Sequence, residues 1–202
     1  MKYKTEQLLD DLHNQVEKQI SKAVAEWQQL PFDLLSASPG PGRWSAVQCL
    51  DHLNSYGRYY LPQIEKAILA NQQKKPVDFF QSGWLGNYFY SLMLPPKDGK
   101  SAKKMKAPKN HQPSPLPEPT VVMHEFINQL ETLGTLIVIA KRVDLNRVKI
   151  PISIAPFIKL KLGDVFLFYT AHITRHMAQA ERALEEWRDQ QYPYLKKLVK
   201  TA

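Results

Sequence analysis

A chain of 202 residues, 44% hydrophobic and 23% charged, is long enough to bury a full core as one domain without disulfides. Its single cysteine, Cys49, excludes an internal disulfide and any cysteine-rich zinc site, and fits a reducing compartment. The net charge of +8 is concentrated in two stretches, with six lysines between positions 97 and 109 and three more at Lys196, Lys197 and Lys200. Neither stretch interleaves aromatic residues or carries a nucleic-acid motif, so both read as solvated loop and tail charge. The first ten residues enter a charged amphipathic pattern with no signal-peptide core. The longest apolar run, Leu133 to Ala140, falls short of the ~20 residues that span a bilayer. A soluble cytoplasmic protein is expected, with neither nucleic acid nor membrane as partner.

In chain order, the first predicted helix runs from about Thr5 to Leu30, with Leu8, Leu9, Leu12, Val16, Ile20, Val24 and Trp27 at helical intervals. The Pro-Gly pairs of the segment from Ser36 to Gly42 forbid regular structure. A second helix opens at Trp44-Ser-Ala-Val-Gln48, where Ser45 and Gln48 are spaced for a capping box. It continues toward Asn71, and Pro62 is expected to kink or divide it. An irregular insertion covers about 76–117. It holds one short apolar helix from about Phe79 to Met93 and then a lysine- and proline-rich loop whose segment around Met105 to Lys109 can pass the bundle mouth. The third long helix runs from about Thr120 to Arg142. The fourth starts near Leu162-Gly-Asp164 and ends before Pro193, after a connector with apolar alternation around Ile150 to Phe157 that falls short of a convincing strand pattern. The expected fold is all-α: a four-helix bundle, residues 1–202, with a long crossover between helices two and three carrying a short extra helix.

The fourth helix carries His172 and His176, four residues apart and so on one face with Cβ atoms about 6 Å from each other. Val165, Phe168, Tyr169, His172, His176, Gln179 and Ala183 fall within about 60° on a helical wheel, which puts both histidines in the buried stripe. Two buried imidazoles without a common partner are costly, and a shared metal ion removes that cost. His52, on the second helix, supplies a third nitrogen. Three nitrogen ligands on two helices describe an open site that leaves a position for water or substrate.

His52 in Trp44-Ser-Ala-Val-Gln-Cys-Leu-Asp-His52-Leu, the Leu162-Gly-Asp-Val-Phe166 opening of the fourth helix, and His172-Ile-Thr-Arg-His176-Met-Ala-Gln179 together resemble the DinB-like superfamily. This bundle family of metal-dependent enzymes is distinct from the error-prone polymerase that shares the name. The resemblance covers nearly the whole chain. It implies a bacterial protein in which His52, His172 and His176 hold a divalent metal, usually zinc or nickel, at one end of the bundle. It also implies thiol-dependent transferases and isomerases, using bacillithiol or mycothiol, among the better characterised relatives, and dimers among many of them.

Around that site, Gln179 shares the His176 face and either orients a ligand imidazole or bonds across the core. Tyr56 lies one turn after His52 and Tyr169 one turn before His172. Each can donate to a metal-bound anion or serve as packing. Arg175 either clamps a substrate carboxylate or forms a surface ion pair. Cys49 reads as a buried, inert thiol. Asp51 points away from the His52 face, and Asp164 reads as a cap on its own helix. His13, His111 and His124 have no spaced partner, with His111 solvated in the basic loop. Trp44 packs the start of helix two without a chemical role.

The expected function is a metal-dependent enzyme acting on a small-molecule substrate, either a hydrolase or a transferase of a low-molecular-weight thiol. The alternative is a bundle that binds a metal or thiol ligand without turnover, as a sensor does.

Overall fold

Apolar residues at helical spacing meet along four long helices. The computed structural model describes residues 1–72, 75–95 and 106–191. In chain order these form β1 (Lys2–Lys4), α1 (Thr5–Lys22), α2 (Phe32–Ser36), α3 (Ala46–Leu69), β2 (Phe79–Gln81), α4 (Trp84–Met93), α5 (Pro119–Ile139), β3 (Lys149–Ile152), β4 (Ala155–Lys161) and α6 (Leu162–Gln191). No described helix is long and apolar enough to cross a membrane. The lysines from Lys97 to Lys104, Met105, and the tail lysines 196, 197 and 200 lie outside the described residues.

The bundle comprises α1, α3, α5 and α6, and both α1 and α3 pack against α5 and α6. On α5 the fully buried Phe126, Leu130, Leu133 and Ile137 recur at steps of four, three and four, one continuous stripe. Each such side chain contributes about 1.5–3 kcal/mol by leaving water. Ser45 opens α3 as its capping pattern predicts. Its hydroxyl accepts from the Gln48 amide at 3.3 Å, and the Gln48 side chain accepts from the Ser45 amide at 3.1 Å. Glu118 caps α5 by accepting from the Thr120 and Val121 amides, with Pro119 in the first turn.

Several elements differ from the sequence reading. α1 gives way to a π turn over Ala23–Trp27, whose extra residue shifts the register, leaving Val24 exposed while Trp27 stays buried. α3 runs unbroken through Pro62, which does not divide it. Pro62 is exposed, so water can satisfy the carbonyl one turn earlier that loses its partner. The short helix starts at Trp84 rather than Phe79, because Phe79–Gln81 pairs antiparallel with Lys2–Lys4. The alternation after Ile150 is a true hairpin, β3 with β4, that buries Ile150, Ile152 and Leu160.

The first turn of α6 organises these additions. Gly163 lies under the fully buried Phe80 ring: a Cβ there would sit 2.7–2.8 Å from three ring carbons. Asp164 does not cap its own helix. Its buried carboxylate accepts from the Ser82 hydroxyl at 2.6 Å and the Gly83 amide at 3.1 Å, at the N-terminus of α4. At the other end of α4, the Arg175 guanidinium donates to the Leu92 carbonyl at 3.3 Å. Helix propensity alone favours Gly163→Ala by about 0.8–1 kcal/mol. The Phe80 contact reverses that sign, and we expect a net destabilisation of about 1–3 kcal/mol, measured by urea unfolding.

Candidate metal centre

α3 and α6 bring His52, His172 and His176 together: one ring nitrogen from each lies within 4.8 Å of the other two, a group that could hold one metal ion. Ring centroids stand 5.2 Å (His52 to His172), 4.5 Å (His52 to His176) and 4.6 Å (His172 to His176) apart. Nε2 of His52 is 3.3 Å from Nε2 of His172. Two nitrogens each bound about 2.0–2.1 Å from one tetrahedral ion stand about 3.3 Å apart. His52 and His172 are buried; His176 is partly exposed, with its Nδ1 sealed from solvent.

The proton positions follow from the surroundings. Nδ1 of His52 lies 2.6 Å from the carbonyl oxygen of His111, which only accepts, so Nδ1 carries the proton and Nε2 presents a lone pair to the cluster. Nδ1 of His172 and Nδ1 of His176 are buried without a hydrogen-bond partner. A hydrogen bond between the two Nε2 atoms would be long and would leave the Nδ1 lone pair of His172 unpaired in the core. Three imidazoles with converging nitrogens and a fixed tautomer on one of them fit a divalent cation.

Burial holds all of these rings neutral. It is the main cause lowering His176 to about 3 and His172 well below the ordinary value, with further lowering from neighbouring imidazoles and Arg175. His52 is lowered by burial, opposed by its bond to the His111 carbonyl and by Asp51. Neutral imidazole is the form that binds metals.

The surrounding wall was only partly legible from the sequence. Trp44, read as mere packing, lies against two of the rings, with centroids 4.9 Å from His52 and 6.0 Å from His176. Phe168 stacks on His172 at 5.6 Å. Tyr56 is 4.4 Å from His172 and 5.1 Å from His52, and burial raises its phenol so that it stays a protonated donor. Tyr169 goes elsewhere: its described ring contact is with Tyr60, and its hydroxyl joins the Gln129 side chain in filling the space a Cβ on Gly57 would need. Gln179 hydrogen-bonds toward His176 and raises its pKa against the burial. Arg175 is close enough to both α6 histidines to depress them, while its guanidinium reaches α4. Cys49 is buried, its thiol pushed up to about 12, which makes it inert. Asp51 accepts from the Ser114 amide at 2.8 Å.

His111 reverses the expectation of a solvated loop residue. It is 2% exposed, stacks on Tyr56 at 3.8 Å, and lies between two hydroxyls: Ser55 Oγ 2.9 Å from Nδ1 and Ser153 Oγ 2.8 Å from Nε2. Burial and His52 lower it to about 4. No periodicity marks it. Pro108, Pro113, Pro115 and Pro117 reduce the entropy lost in seating this loop, but they do not point to its partner. Of the other histidines, His13 lies 3.7 Å from Glu17 and His124 is exposed.

The sign of the pH dependence follows. In the unfolded chain these histidines titrate near pH 6.5, whereas in the folded one they resist protonation, so below that pH the unfolded state binds more protons. Their contribution to stability is complete above about pH 7 and is lost as pH falls from about 6.5 toward the folded values near 4 and 3. Metal-free protein is expected to lose unfolding free energy between about pH 7.5 and 5.5, above the carboxylate range, by as much as ~1.4 kcal/mol per pH unit for each histidine. Urea titrations across that window measure it, and a flat profile contradicts a neutral cluster.

No curated protein and no solved structure gives a significant match to this chain. The family profile described as the DinB superfamily matches residues 15–180, a span that includes all three converging histidines, and the chain belongs to that superfamily.

Proposed function

We propose that the protein is a metal-dependent enzyme acting on small molecules, with His52, His172 and His176 as the ligands of zinc or nickel. The observation that carries this reading is the convergence of three neutral imidazoles, two of them with Nε2 atoms 3.3 Å apart. When bound, a divalent ion at uncharged ligands would acidify a coordinated water or thiol. Trp44 and Phe168 wall the cluster and keep water out. The Tyr56 hydroxyl, protonated at neutral pH, would donate to a developing anion, and Arg175 would add positive charge for an anionic substrate group.

Between hydrolysis and transfer of a low-molecular-weight thiol, the surroundings favour the thiol. Among the described residues the two candidate carboxylate bases are committed elsewhere, Asp51 to the Ser114 amide and Asp164 to the start of α4. A thiol acidified by the ion needs no strong protein base, whereas water attack on a substrate gains most from one. The same missing base supports a second reading, a bundle that binds metal and thiol without turnover.

Untagged protein is expected to carry close to one divalent ion per chain by elemental analysis. His172→Ala should lose that ion and all activity while keeping its far-ultraviolet circular dichroism. Tyr56→Phe should retain the ion and lose about 10²-fold in kcat on a panel of thiols with electrophiles. Metal and thiol binding without turnover across that panel would select the binding reading.

A further inference from the structure

We propose that His111 is a positioning residue of the metal centre: its side chain locks the crossover loop so that its own carbonyl fixes the ring of His52. The inference rests on the three-histidine reading of the site and not on turnover.

The hydrogen bonds close into a reciprocal clasp. The Ser55 hydroxyl has one proton and places it on the His52 carbonyl at 2.6 Å. Its oxygen must therefore accept from His111 Nδ1–H at 2.9 Å, which leaves His111 Nε2 to accept from the Ser153 hydroxyl at 2.8 Å. In the other direction, His52 Nδ1–H donates to the His111 carbonyl at 2.6 Å. Each histidine thus uses its ring to bind the other's main chain, directly in one direction and through Ser55 in the other. Both nitrogens of His111 are occupied by hydroxyls, so it is not itself a fourth ligand.

A main-chain carbonyl can be aimed only by the conformation of its loop, and this loop is held from two sides. The Gln48 side chain donates to the Ser114 and Pro115 carbonyls at 3.2 and 3.3 Å, and Asp51 accepts from the Ser114 amide. Beyond His111, Ser153 lies in the turn of the β3–β4 hairpin, and its amide donates to the Tyr60 hydroxyl at 3.3 Å. The hairpin is the outer anchor of a chain running from Ser153 through His111 to His52. Linkage makes the effect reciprocal: whatever factor the seated loop adds to metal affinity, the bound metal adds to seating of the loop.

The experiment measures zinc affinity by chelator competition in wild type, His111→Ala, His111→Asn and Ser153→Ala, with 15N shifts of the His52 ring in the metal-free proteins. His111→Ala is expected to weaken zinc about 10–100-fold and to take His52 away from its Nδ1–H tautomer. His111→Asn, whose amide can still donate to Ser55, should recover much of both. Ser153→Ala, milder and at a turn, should shift both readouts in the same direction, and it serves if His111→Ala fails to fold. Zinc should also slow amide exchange across residues 106–117 in the wild type. Affinity within twofold of wild type in His111→Ala or Ser153→Ala, with the His52 tautomer unchanged, overturns the clasp while leaving the metal centre standing. A wild-type protein that binds no zinc overturns both.

Discussion

Three imidazoles gathered in a helical bundle, two of them buried and the third partly so, cannot be left with their lone pairs facing one another. Protonation is opposed by the burial, since a charged ring there would lose its hydration, and the pull of Asp51 on His52 does not offset that loss. Mutual hydrogen bonding can settle one pair of nitrogens and leaves others orphaned. A cation shared among them takes up one converging nitrogen from each ring, and much of the architecture around the site serves to present those nitrogens to it.

That presentation depends most on α6. Over its first turns it makes room for the Phe80 ring at Gly163 and takes the start of α4 onto the Asp164 carboxylate. Farther along, it offers His172 and His176 to the site and reaches the end of α4 through Arg175. The short helix is thereby held at both ends by the helix that carries two of the three histidines. Its Phe89 packs against Phe168, which in turn stacks on His172, so the bracing reaches the cluster through aromatic contact.

The elements the sequence revealed were those whose signal repeats. The stripe on α5, the Ser45–Gln48 box and the spacing of His172 and His176 are all local patterns with helical period, and such patterns survive whatever the rest of the chain does. The elements that escaped were short or depended on distant partners. Three residues of β1 find Phe79–Gln81 across most of the α1–α3 hairpin, and a run that reads as apolar helix becomes a strand because Phe80 has a seat under Gly163. Tyr169 and Tyr56 flank the histidines at similar sequence distance, yet packing turns one toward Gly57 and Tyr60 and leaves the other beside the imidazoles.

By itself, the sequence determined a helical bundle in which His172 and His176 share a buried face, because helical period and side-chain hydrophobicity are properties of neighbouring residues. The motif around His52 pointed to it as the third ligand, but only the tertiary structure decided how its ring is aimed, that Trp44 walls the cluster, and that a loop histidine with no periodic signal supplies the carbonyl fixing a ligand's tautomer. The contacts of His52 with His111 and His172 join positions 59 and 120 residues apart. No local pattern encodes such a pairing, since it exists only once the helices have packed.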